Sequence, residues 1–270
     1  MYLPPGSKKP IRIVRGGSPA LDPTGKLIAC LSLPPSGVDP LWVSICGIDG
    51  KGARVVYRSK NRLTDLDWSS QGDLLISAYT SEGEVLQLLL KAGSGFSDNP
   101  IEVARTGQNG ANGVWEPRWA PDGGSVIFHD LTNLFQVSLT GAVIEKTPIE
   151  AITGKANSVD SSSSFSICPT NPGLYAYTSA VPGTDRFNDV MGGEPNSALF
   201  VFDTASKKRK RLSPPDMVCM DPVWTPDGKA IVLGGYREPH YTQAYPFRIY
   251  RINPDGTGLT ELARGEDPSP

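Results

Sequence analysis

Histidine is nearly absent from this chain, at two of 270 residues, and the four cysteines never fall in a Cys-x-x-Cys pair. These scarcities argue against a zinc centre or a multi-histidine metal site. No Gly-x-Ser-x-Gly elbow occurs, and the Gly-Gly-Ser runs at Gly16 and Gly123 lie in turns beside strands, so a hydrolytic triad is poorly supported. A carboxylate-based reaction stays open. A net charge of −2 offers no field for nucleic acid or an anionic membrane. No apolar run reaches the length of a membrane-spanning helix, and residues Met1 to Lys9 lack the apolar centre of a signal peptide. The location expected is therefore cytoplasmic if Met1 is the native start, and periplasmic or secreted otherwise. Amphipathic helical periodicity is missing too, which leaves strands and turns.

What the chain does contain is one phrase repeated. Near-copies run from Ser18 to Gly25, Asp65 to Gly72, Glu116 to Gly123 and Asp221 to Gly228, with a looser one from Ser164 to Gly173. The closing glycines are 47, 51, 50 and 55 residues apart, the period of propeller blades and other repeat arrays. Each copy has a short strand ending in an apolar or aromatic residue (Leu21, Trp68, Trp119, Ile167, Trp224), then a Pro/Asp/Gly turn. Proline presets φ in such a turn and glycine tolerates positive φ. A second strand follows, such as Leu74 to Tyr79 or Ser125 to His129, then a third, such as Val85 to Leu90, and a fourth, such as Arg54 to Tyr57 or Arg209 to Leu212. Four antiparallel strands per repeat make one propeller blade. Trp68, Trp119 and Trp224 are predicted at equivalent buried sites.

The phrase "acid, Pro, x, Trp, x, Pro, Asp, Gly", seen at Glu116 to Gly123 and Asp221 to Gly228, resembles the WD-like repeat of TolB-type β-propellers. The same repeat builds the propellers of prolyl oligopeptidase and dipeptidyl peptidase relatives. The resemblance covers about residues 11 to 270 and implies an all-β, single-domain propeller over residues 1 to 270. It is nearly silent about function, because propellers host unrelated activities. TolB itself is periplasmic, and pectate-lyase relatives use a metal held by several histidines, more than this chain supplies.

Blade closure stays open. The segment from Ile11 aligns with the fourth strands, and Asp267-Pro268 aligns with the start of a new repeat. Five blades are favoured, since 270 residues give 54 per unit; six, or a fragment of a larger propeller, are the alternatives.

Three residues before the aromatic slot stand Ser18, Asp65, Glu116, Ser164, Asp221 and, in the partial repeat, Asp267. First strands surround the axis of a propeller, so these acids are expected to converge at one channel mouth and to receive a basic peptide segment or a divalent cation. The competing reading is that each caps its own turn through backbone N–H groups. Arg118 and Asp67, on the same strands, are placed to pair and cancel much of the field. Long loops carrying Phe187 and the pair His240 and Tyr241 are expected to flank this mouth, since binding sites gather on loops held by rigid scaffolds. The ligand- or partner-binding set is thus Asp65, Glu116, Arg118, Asp221, Phe187, His240 and Tyr241, with no catalytic residue and no cofactor beyond such a cation.

The cysteines read as buried thiols acting as small hydrophobes, with a Cys30–Cys46 disulfide only in an oxidising compartment. The basic run from Lys207 to Arg211 reads as a solvated outer strand that resists edge pairing. The function expected is a non-catalytic scaffold for a protein partner or small ligand, without nucleic acid or membrane insertion. The alternative is the propeller portion of, or an accessory to, a peptidase or carbohydrate-active enzyme.

Overall fold

The computed structural model describes residues 13, 16–35, 39, 41–92, 96, 99–182, 196–237 and 246–265. Among these residues are one five-residue α-helix and twenty β-strands, the strands arranged as five four-stranded antiparallel sheets. Each sheet uses four consecutive strands in sequence order, which defines a five-bladed β-propeller. Among the described residues, no helix is long and apolar enough to cross a membrane.

The chain divides into two compact units. Residues 1–130 and 134–146 make the first, and residues 131–133 and 147–270 the second. The first unit holds three blades. Blade one comprises β1 (Gly17–Leu21), β2 (Leu27–Ser32), β3 (Trp42–Gly47) and β4 (Arg54–Arg58). Blade two comprises β5 (Arg62–Trp68), β6 (Leu74–Tyr79), β7 (Val85–Leu90) and β8 (Ile101–Arg105). Blade three comprises β9 (Trp115–Trp119), β10 (Ser125–His129), β11 (Asn133–Ser138) and β12 (Val143–Pro148).

The helix α1 (Ile149–Thr153) lies in the second unit and precedes its blades. Blade four follows with β13 (Phe165–Cys168), β14 (Asn171–Ala180), β15 (Ser197–Asp203) and β16 (Lys208–Arg211). Blade five has β17 (Met217–Trp224), β18 (Ile231–Arg237), β19 (Arg248–Ile252) and β20 (Thr260–Arg264).

Blade packing explains why the middle strands are apolar on both faces. Leu86, Leu88 and Leu90 of β7 face Leu31, Val43 and Ile45 of blade one, while Val85 and Leu89 join Val126, Phe128 and Phe135 of blade three. A sheet covered on both sides needs a near-continuous apolar strand, as in Val85 to Leu90, interrupted only by buried Gln87, whose Oε1 accepts from Ser77 Oγ at 3.1 Å. In the second unit, Ala176, Leu199 and Val201 of blade four pack against Cys219, Trp224, Ile231 and Leu233 of blade five.

The turn reading holds in four copies. The amides of Gly25, Gly72, Gly123 and Gly228 bond the carbonyls of Asp22, Ser69, Ala120 and Thr225 at 2.8–3.0 Å, each glycine at φ between 63° and 87°. The fifth copy differs. Cys168 pairs with Asn171, so the turn is only Pro169–Thr170 and Gly173 already lies inside β14, two residues past the start of the strand. That second strand thus starts at Asn171, ahead of the glycine that closes the repeat phrase.

All four cysteines are buried free thiols. Basic β16 is the exposed outer strand of blade four, but its side chains have work within the second unit. Arg209 donates to the Ile152 and Ala151 carbonyls at the end of α1, Lys210 to the Asp255 carbonyl, and Arg211 to the Ser213 and Pro214 carbonyls.

Candidate functional site

Four of the five first strands carry the acid position in a distorted stretch, whereas in blade four Ser164 precedes β13 and the slip falls at Ile167/Cys168. Pairing slips at Gly17/Ala20 in blade one, Leu63/Asp65 in blade two, Met220/Val223 in blade five and, in blade three, opposite Ile127/His129. Ser18, Glu116 and Asp221, each followed by proline, have φ of 43–46°, a left-handed conformation that costs a non-glycine residue about 1 kcal/mol or more. Asp65 and Ser164, followed by Leu66 and Phe165, do not adopt it. A bulge bends the strand and re-aims the side chain there.

In the first unit Ser18 and Asp65 reach across to the neighbouring blade. Ser18 Oγ donates to the Thr64 carbonyl at 3.0 Å. Arg118 on β9 donates from Nη1 to Asp65 Oδ2 on β5 at 2.8 Å and from Nη2 to Glu116 Oε2 at 3.4 Å. Asp65 also accepts the next amide of its own strand, from Leu66 at 2.9 Å. A third carboxylate stands beside them, for Asp67 Oδ2 accepts the Trp119 amide at 3.0 Å and the Asp67 carbonyl accepts Trp119 Nε1 at 3.2 Å. Burial pushes the Asp67 carboxyl up to about 6, against the opposing pull of Arg118 and the Trp119 amide. The result is three carboxylates around one guanidinium on two neighbouring first strands. The Asp65 and Glu116 side chains are 35% and 25% exposed, so solvent and solutes reach both.

The second unit repeats the pattern with different chemistry. Ser164 Oγ donates to Asp221 Oδ1 at 3.4 Å. Ser166 Oγ accepts the Trp224 amide at 3.4 Å and the Ser166 carbonyl accepts Trp224 Nε1 at 3.1 Å. In blade two, Trp68 Nε1 donates to the Ala20 carbonyl at 3.0 Å. All three tryptophans therefore link first strands through the same indole bond. Their burial differs from the expectation of equivalent core sites. Trp224 is 3% exposed, whereas Trp68 and Trp119 are only partly buried and pack at the margins of their cores.

The structure thus brings Asp65, Glu116 and Arg118 together in the first unit and pairs Asp221 with Ser164 in the second. Phe187, His240, Tyr241 and Asp267 lie outside the described residues. Asp67 carries more than a charge pair with Arg118. Its signal was its place immediately before the aromatic slot, where Ala20, Arg118, Ser166 and Val223 stand in the other copies. Among the described residues, no group of three or more His, Cys, Asp or Glu side chains is disposed to hold a metal ion.

No protein-family model and no curated protein matches the sequence. Solved structures do. TolB from Acinetobacter baumannii shares 18% identity, with a TM-score of 0.65, over 91% of this chain and 55% of its own. A putative TolB from Agrobacterium tumefaciens shares 15% identity, with a TM-score of 0.62, over 91% of this chain and 79% of its own. An oligogalacturonate lyase in complex with manganese shares 11% identity, with a TM-score of 0.58, over 92% of this chain and 64% of its own. At these identities the likeness is one of fold. The chain has the fold of TolB-like propellers and spans little more than half the length of the Acinetobacter protein.

Proposed function

We propose that this chain is a non-catalytic, TolB-like propeller scaffold that binds a basic segment of another protein through Asp65 and Glu116. The observation that supports this reading is that, among the described residues, carboxylates outnumber guanidinium groups in the cluster on β5 and β9. Arg118 orients Asp65 and Glu116 by two hydrogen bonds, and both acids are partly exposed to solvent. A lysine or arginine side chain there meets preorganised acceptors, and charge-assisted hydrogen bonds are about twice as strong as neutral ones. A peptide is favoured over a metal ion because the guanidinium stands among the carboxylates.

Fluorescence anisotropy at low salt with a labelled, histidine-free peptide of alternating lysine and glycine tests this. The double variant Asp65→Asn/Glu116→Gln is expected to bind at least five-fold more weakly, because removing two carboxylates leaves Arg118 to repel the peptide. Its melting temperature should stay within a few degrees of the parent, since half-exposed ion pairs contribute about 1 kcal/mol or less. Equal affinities for parent and variant would overturn the proposal, as would failure of the parent to bind.

A further inference from the structure

The tie between blades two and three is made by an acid where the equivalent tie between blades four and five is made by a neutral hydroxyl. Asp67 and Ser166 occupy the same repeat position, each accepting the following blade's tryptophan amide by its side chain and that indole by its carbonyl. In blade one the position is Ala20, which takes only the indole bond. A carboxylate is therefore not needed to make this junction. Its charge is also poorly placed for stability. It sits partly buried between two packed blades, on the strand that carries Asp65, and both burial and the Asp65 charge oppose its ionisation.

We infer that Asp67 is a proton-operated switch, which sets both the strength of the blade two to blade three junction and the charge of the acidic face beside it. The second half of this inference rests on the proposed binding of a basic segment; the first half stands without it. Among the described residues, few charged groups face Asp67. β9 presents Arg118 and Glu116, and β5 itself presents Asp65. The β6 residue opposite is Leu75, and β1 offers Ser18, Pro19 and Ala20, none of which ionises. The β2 residues packed toward blade two are Ala29 and Leu31, neither of which ionises. When Asp67 holds its proton, two carboxylates oppose Arg118; when the proton passes to solvent, three do.

The directions follow from linkage. Burial raises the folded carboxyl to about 6, above the ordinary value of 3.8, so between those limits the folded chain binds the proton that the unfolded chain has released. Stability is then greatest below about pH 4 for this group and declines as pH rises through about 6. Affinity for a basic peptide moves the other way, rising as the third carboxylate ionises. A bound cationic residue would offset the repulsion that deprotonation creates.

The test uses the full chain with Asp67→Ser, which copies the blade-four junction, and Asp67→Asn, which keeps shape without charge. Carboxyl carbon NMR should show one Asp signal titrating near pH 6 in the parent and missing from both variants. Denaturation midpoints between pH 5 and 7.5 should fall with rising pH in the parent and change less in the variants. The lysine-glycine peptide should bind the parent two- to five-fold more tightly at pH 7.5 than at pH 5, with the variants nearly level. An Asp67 signal titrating near pH 4 overturns the switch whatever the peptide does. A signal near pH 6 with no peptide binding keeps the junction half and removes the binding half, together with the proposed function. Should Asp67→Ser fail to fold, the NMR titration and the Asp67→Asn midpoints decide.

Discussion

Replacing Trp224 by alanine is expected to cost roughly 3–5 kcal/mol, the usual range for a large buried aromatic. The side chain is 3% exposed and packs among Cys168, Ile231, Leu233 and Ile252, while its Nε1 holds the Ser166 carbonyl of blade four at 3.1 Å. Truncation opens a cavity and orphans that carbonyl. The same change at Trp68 or Trp119 should cost distinctly less, since part of each indole already faces solvent, though the bond to Ala20 or Asp67 is lost. Urea unfolding followed by circular dichroism ranks the three. A Trp224→Ala loss below about 1 kcal/mol would show that this indole is not part of the core.

Gly235→Ala is expected to be at least as damaging. Gly235 lies inside β18 between Cys219 and Arg248, at φ 152°, and a Cβ built there falls 2.1 Å from the Val218 carbonyl oxygen. That obstacle is backbone in the adjacent strand, which no rotamer change can clear, so β17 and β18 must separate. A loss of roughly 3 kcal/mol or more is anticipated, among the largest single-residue effects. Gly83→Ala is the control, because its Cβ meets nothing within 4 Å although its φ is also positive. It should cost about 1 kcal/mol of backbone strain alone. Equal losses at the two glycines would mean that the clash relaxes freely.

The blades were legible because each repeat announces its own turn. Pro-Asp-Gly at Pro121 and Pro226 fixes a hairpin locally, and the flanking apolar runs need no distant information to become strands. The fifth copy shows where that reading fails. Pro169 and Thr170 close the hairpin without help from Gly173, so the glycine that matched the repeat had no turn to make. The single turn of α1 is too short to show a helical period, and it is held by Arg209 from a strand more than fifty residues away. Of the candidate site, the residue types were readable and their partners were not. The acids before Pro117 and Pro222 stood out, but the left-handed φ at Glu116 and Asp221 depends on strand pairing, and the bond from Asp67 to the Trp119 amide joins separate repeats. Nothing in one repeat states which residue of the next it will touch.

The tryptophan links have a kinetic consequence. Within a blade, strands pair with their immediate successors, so hairpin contacts close short loops. The indole bonds span 48, 52 and 58 residues. Loop-closure entropy delays such contacts until the hairpins on both sides exist. The indoles should therefore dock after the folding transition state, giving Trp224→Ala a φ-value near zero in a chevron analysis: refolding almost unchanged, unfolding faster by most of the lost stability. These tryptophans act as latches on finished blades, and they lengthen the lifetime of the folded chain without hastening its arrival.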